Sequence, residues 1–65
     1  MELIGIIKEL INNSYGFIEA DKVMYYFDRS DLIYNFELHV GLKVIFKPMI
    51  INKINKAILI EKING

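Results

Sequence analysis

Apolar residues in this chain fall in short runs where they alternate with polar or small ones, and the runs are separated by clusters of Asn, Asp, Lys and Gly. Alternation with a period of two is the signature of strands with one face buried. Leu3 to Ile11 reads as the first strand, rich in β-branched residues and interrupted by Lys8-Glu9; Ile4, Ile6 and Lys8 share one face, Gly5, Ile7 and Glu9 the other. Asn12-Asn13-Ser14 is a turn, because short polar side chains bond to nearby backbone and asparagine tolerates left-handed conformations. Tyr15 to Glu19 follows as a second strand, Ala20-Asp21-Lys22 as a tight connection, and Val23 to Asp28 as a third. Three strands so closely spaced suggest a meander in a small barrel or sandwich.

The stretch from Ser30 to Val40 is less regular. Ser30-Asp31-Leu32 can cap a single helical turn, while the alternation of Tyr34, Phe36 and Leu38 with Asn35, Glu37 and His39 fits a short extended piece equally well. After Gly41, Leu42 to Lys47 alternates as a fourth strand, and Pro48 ends regular pairing or confines it to an edge. Asn52 to Asn55 reads as a polar turn and Lys56 to Ile63 as the fifth strand. Nothing in the pattern divides the chain, so residues 1–65 are expected to form one domain.

The same period predicts a surface. Tyr15 and Phe17 lie on one side of the second strand, Gly16 and Ile18 on the other. If Tyr25 and Phe27 turn inward beside Ile18, Tyr26 turns outward and joins Tyr15 and Phe17 across the hairpin. The opposite parity buries these three rings as core, but it exposes Ile18, Tyr25 and Phe27 and leaves as much apolar surface in water. Exposed rings on a sheet can stack unpaired bases, since every base has a π-face.

Composition narrows the classes. A chain of 65 residues buries only about 60% of the surface of its unfolded form. It has no cysteine and one histidine, so disulfides, thiolate metal sites and cysteine nucleophiles are excluded, no metal or other cofactor is expected, and His39 reads as a loop residue. No glycine-rich phosphate loop is present, and Asp28 and Asp31 are better explained by capping than by catalysis; a non-enzyme is expected. Although 54% of residues are hydrophobic, no run reaches the about 18 residues of a membrane span. The start Met1-Glu2-Leu3 lacks a basic region ahead of an apolar one, which points to a cytoplasmic, soluble domain without a signal peptide. Eight basic side chains balance eight acidic ones, so bulk charge gives no support to nucleic-acid binding. Charge is nevertheless segregated along the chain: Glu9, Glu19, Asp21, Asp28 and Asp31 lie in the first half, and Lys43, Lys47, Lys53, Lys56 and Lys62 in the last third, where they read as a solvated rim.

Five strands with a long irregular connection between the third and fourth is the layout of an oligonucleotide-binding barrel, and the residues resemble the bacterial cold-shock domain over nearly the whole chain. Gly5-Ile6-Ile7-Lys8 is similar to that family's opening Gly-x-Val-Lys. Ser14-Tyr15-Gly16-Phe17-Ile18 resembles its first ribonucleoprotein motif, Gly-Phe-Gly-Phe-Ile, and the segment from Tyr25 to Leu32 resembles the second. Leu38-His39-Val40-Gly41-Leu42-Lys43-Val44-Ile45-Phe46 is similar to Leu-x-x-Gly-x-x-Val-x-Phe, and Ala57 to Ile60 falls where the last strand would. The resemblance implies an all-β, five-stranded antiparallel barrel of the oligonucleotide-binding fold that stacks single-stranded RNA or DNA, as an RNA chaperone or transcript regulator. It makes Lys8 a phosphate or base contact and Tyr15, Phe17 and Tyr26 the stacking residues, with Tyr34 or Phe36 as a further aromatic; Phe36 is carried into the candidate set. Arg29 can stack on a base or pair with a phosphate, or be neutralised by Asp28 and Asp31.

The departures define a rival. The family's tryptophan after the first lysine is Glu9 here, the next phenylalanine is Leu10, the histidine of the second motif is Asp28 and its neighbouring aromatic is Arg29. The connection Ala20 to Val23 is shorter, and the usual glycine-rich fourth connection is the apolar stretch from Met49 to Ile54. Two carboxylates thus enter a surface meant for phosphates. The alternative is a protein-interaction or self-associating module, a homodimer or a protein complex, that uses Ile50, Ile51 and Ile54.

Overall fold

The computed structural model describes residues 1–63. Five strands, β1 (Leu3–Ile11), β2 (Tyr15–Ala20), β3 (Val23–Asp28), β4 (Lys43–Ile51) and β5 (Ile54–Lys62), close into a barrel in the order β1-β2-β3-β5-β4. The hairpins follow from their turn residues. Asp21 and Lys22 between β2 and β3, and Asn52 and Lys53 between β4 and β5, all have positive φ, the backbone that two-residue type I′ hairpins require. Because the last turn is only Asn52-Lys53, β4 runs on to Ile51 and β5 begins at Ile54, longer on both sides than the alternation alone predicts. β1 flanks β4 only as far as Phe46. Pro48, opposite Ala57, therefore sits where β4 has a neighbour on one side only, the edge position that a residue without an N–H tolerates.

The expected antiparallel barrel is corrected at one seam. β3 and β5 run parallel, paired at Tyr26 and Lys56, with a further bridge between Leu32 and Ile60 and the Ile33 N–H donating to the Ile60 carbonyl at 3.0 Å. Arithmetic forces this: strands that alternate in direction around a closed ring of odd number must leave one parallel pair.

Ile7, Ile18, Phe27, Val44, Phe46 and Ile60 fill the interior with no exposed surface. Ile18 and Phe27 point inward, as the parity of β2 and β3 predicts. Tyr25 is half-buried with its ring 5.0 Å from that of Phe46. From Ile33 to Val40 no strand forms, yet the alternation is real: Phe36 and Leu38 pack into the core while Asn35, Glu37 and His39 stay exposed. Gly41, at φ 96°, turns this segment into β4. Its N–H donates to the Ile7 carbonyl at 2.8 Å, and the Ile7 N–H donates to the Leu42 carbonyl at 3.0 Å.

Two bulges reset the parity. In β1 the register slips between Ile7 and Glu9, so that Ile7 pairs with Ile18 but Glu9 pairs with Phe17. Lys8 is the extra residue. In β5, Leu59 is extra relative to β4 and adopts φ 51°, which turns its side chain outward between buried Ala57 and Ile60.

A single 3-10 turn, Arg29–Asp31, follows β3, and its cap is Asp28 rather than the expected Ser30. Asp28 accepts from the Ser30 hydroxyl and from the Ser30 N–H at 2.8 Å, while Asp31 accepts from the Asp28 N–H at 3.0 Å. This reciprocal arrangement is a capping box. The Ser30 hydroxyl, the Ser30 N–H and the charge of Lys56 hold the Asp28 carboxyl below its ordinary value of 3.8, against the opposing effect of burial. A carboxyl depressed in the folded state adds stability that is complete above the unfolded-state value and is lost as pH falls through the folded one. Asp28→Asn keeps a capping acceptor but cannot titrate, so its melting temperature is expected to fall less than the wild type's between pH 5 and about pH 2, measured by circular dichroism.

Candidate nucleic-acid interface

The outward residues of β2 are Tyr15, Phe17 and Glu19, and across the hairpin they face Asp28, Tyr26 and Met24. Alternation on two paired strands thus brings three rings together on one surface. Tyr26 is the hub: its ring centroid lies 6.3 Å from Tyr15 and 6.0 Å from Phe17, at interplanar angles of 53° and 63°. Tilted contacts of this kind are favourable between aromatic quadrupoles. They also mean that the rings form no continuous floor; each offers its own facet to a base. Tyr15 is 38% exposed, and Phe17 and Tyr26 are half-buried at their bases, so rotamers are restrained while part of each ring meets solvent.

Lys56 completes the cluster. It lies beside Tyr26 across the parallel seam, with its ammonium 5.0 Å from the Tyr26 ring centroid and 2.6 Å from Asp31 Oδ2. Only 19% of its side chain and 10% of that of Asp31 is exposed, so this pair is shielded from salt far better than a surface pair. Reading Lys56 as part of a solvated rim is therefore corrected. The parallel pairing that brings β5 to β3 joins residues thirty positions apart, and no local pattern reports it.

The other candidates separate. Lys8 stands in the β1 bulge, and its ammonium is 3.4 Å from Glu19 Oε1, both side chains well exposed. Such a pair is worth about 0–1 kcal/mol and leaves Lys8 beside the ring row rather than within it. Arg29 is engaged within the chain. Its Nε donates to the Asn13 carbonyl at 2.7 Å, and its Nη1 donates to Asn35 Oδ1 at 2.9 Å and to the Phe36 carbonyl at 3.4 Å. It ties the β1–β2 turn to the segment that closes the barrel end, and neither Asp28 nor Asp31 neutralises it. Arg29→Ala is expected to cost about 1–2 kcal/mol, since bonds from a charged donor are lost at a partly exposed site; urea unfolding measures this. Oligonucleotide affinity should stay unchanged where both proteins are folded. Phe36 is only 8% exposed and belongs to the core, so its place in the candidate set is corrected; Tyr34, 45% exposed, packs on it with centroids 5.2 Å apart.

Around the β4–β5 hairpin, Ile50 is 73% exposed, Ile54 56% and Ile51 41%. Met1, Tyr25, Pro48, Met49 and Ile50 line an open, apolar hollow of about 400 Å³ at its base. Ile50, Ile51 and Ile54 thus do not close the barrel's end. Among the described residues no cluster of His, Cys, Asp or Glu is arranged to hold a metal, and no helix is long and apolar enough to cross a membrane. No protein-family model matches the chain, and no curated protein matches it.

Proposed function

We propose that this protein binds single-stranded RNA or DNA by stacking bases on Tyr15, Phe17 and Tyr26, in the manner of a cold-shock domain on an oligonucleotide-binding barrel. The observation that carries this reading is the outward ring cluster itself, assembled from two adjacent strands and braced by Lys56, on a chain whose inward parity already supplies a full core. Its rings are not needed to fill the barrel. Among the described residues their aromatic contacts are with one another, and Lys56 lies over the Tyr26 ring. Zero net charge and the engagement of Lys56 with Asp31 imply that phosphates contribute little and that stacking, worth about 1–3 kcal/mol per base, dominates. Binding carried by stacking suits an RNA chaperone or transcript regulator.

Fluorescence anisotropy of a labelled single strand of mixed sequence containing all four bases, titrated at low and at physiological salt, tests the proposal. Binding that weakens only modestly with salt is expected, because few counterions are released. No binding at either salt would remove nucleic acid as the ligand. The exposed Ile50, Ile51 and Ile54 favour a second reading in that event, a self-associating or protein-binding module; Ile51→Asp would then abolish assembly and leave the barrel folded.

A further inference from the structure

Four carboxylates surround the ring cluster, and the structure distinguishes them by what they already hold. Glu19 pairs with Lys8. Asp28 accepts from Ser30, and Asp31 from Lys56 and the Asp28 N–H. Glu9 is exposed and makes no side-chain hydrogen bond or ion pair among the described residues. Its place is set by the β1 bulge: an unbroken ladder running on from Ile7 and Ile18 would set Lys8 opposite Phe17, whereas the inserted residue sets Glu9 there. Directly opposed residues on one face of a sheet have Cβ atoms about 4.5–5.5 Å apart. A base lying on the Phe17 ring therefore presents its edge to Glu9 on one side and to Tyr26 on the other.

A carboxylate only accepts hydrogen bonds. Guanine offers it two adjacent donors on the Watson–Crick edge, N1–H and N2–H, spaced to meet both oxygens. Cytosine and adenine each offer one amino donor beside an acceptor nitrogen. Uracil and thymine offer a single N3–H between two carbonyl oxygens, which the carboxylate repels. Resting on the stacking function proposed above, we propose that Glu9 makes the Phe17 facet selective for guanine and sets it against uracil and thymine. The selection uses attraction to one base and repulsion of another together. It gives Glu9 a role at the position where a tryptophan would have added only area.

The test uses labelled thymidine heptanucleotides with thymine, cytosine, adenine, hypoxanthine or guanine at three alternating positions, and anisotropy as the readout. The guanine strand is expected to bind about tenfold tighter than the thymine strand, the scale of a good bidentate contact to a base. Hypoxanthine, which lacks the 2-amino group, should fall between them. Purines stack better than pyrimidines whatever lies beside them, so the deciding comparison is Glu9→Gln: its affinity for guanine should fall and its affinity for thymine rise, bringing the two together. A guanine preference over thymine that is undiminished in Glu9→Gln, or equal affinity for guanine and adenine in the wild type, overturns the role of Glu9 and leaves stacking intact. Failure of every strand to bind overturns both proposals.

Discussion

Gly16→Ala should leave the chain without a stable folded state. Gly16 is buried near the turn end of the β1–β2 hairpin, opposite Leu10, and a Cβ built there would overlap the Glu9 carbonyl oxygen and stand 2.9 Å from its carbon. Those atoms are backbone, fixed by the bulge on one side and the ladder on the other, so no side-chain rotation relieves the contact. β1 would have to move away from β2 by more than an ångström. That movement breaks the register that seats Ile7 and Leu10 in the core. A cost of about 3 kcal/mol or more is expected from backbone displacement of this kind. Stabilities near 0.05–0.15 kcal/mol per residue are normal, so a chain this short has little margin. Circular dichroism and thermal melting should show a broad, weakened transition or none. A wild-type-like melt would mean that the bulge can migrate, and would undo the close approach of the two strands as an essential contact.

The second large effect concerns binding with the fold kept. Phe17→Ala and Tyr26→Ala together should reduce single-strand affinity by a factor of about 30 or more, taking about 1–3 kcal/mol for each ring removed. Folding should survive, since both rings lie on the outer face and neither belongs to the buried core. Tyr26→Ala removes more than one facet: it withdraws the hub against which Tyr15 and Phe17 lean, and it leaves Lys56 held by Asp31 alone. The double variant is therefore expected to lose less than the sum of the singles, because Tyr26→Ala alone already disturbs the Phe17 facet. Tyr26→Phe, which keeps the ring and its contact with Lys56, should bind almost as the wild type does. If the double variant unfolds, the rings are structural and the stacking surface is not what they are for; if it folds and binds unchanged, the ligand lies elsewhere.

Much of this was legible in the residues. The hairpin turns announce themselves through Asn12-Asn13, Asp21-Lys22 and Asn52-Lys53, all of which take left-handed backbone. Between turns, a period of two assigns Ile18, Tyr25 and Phe27 to the inside and Tyr15, Phe17 and Tyr26 to the outside. What escaped was of two kinds. Bulges at Lys8 and Leu59 change the face by one residue without any local mark, so the sequence offers Lys8 as a phosphate or base contact and does not show that Glu9 is the residue opposite Phe17. Contacts between remote segments leave no local mark either: Lys56 passes for a rim charge when Asp31 holds it beside the parallel seam, and nothing near Arg29 announces its bonds to Asn13 and Asn35. Tyr34, Phe36 and Leu38 share one parity, so alternation places all three together; that Phe36 and Leu38 are buried while Tyr34 is exposed is decided by where the connection crosses the barrel end.

The parallel seam also orders events in time. Four of the barrel's five strand pairs are antiparallel, and the β1–β2, β2–β3 and β4–β5 hairpins can each form from neighbouring residues within microseconds. The β3–β5 pairing closes a loop of some thirty residues for a single bridge and the few bonds around it, so it pays its entropy last and returns least. The barrel is then expected to form its hairpins, join them along the four pairs of β1 and β4, and latch last at Tyr26 and Lys56; amide exchange should find its earliest openings at that latch, where the proposed ligand would lie across both strands and hold them together.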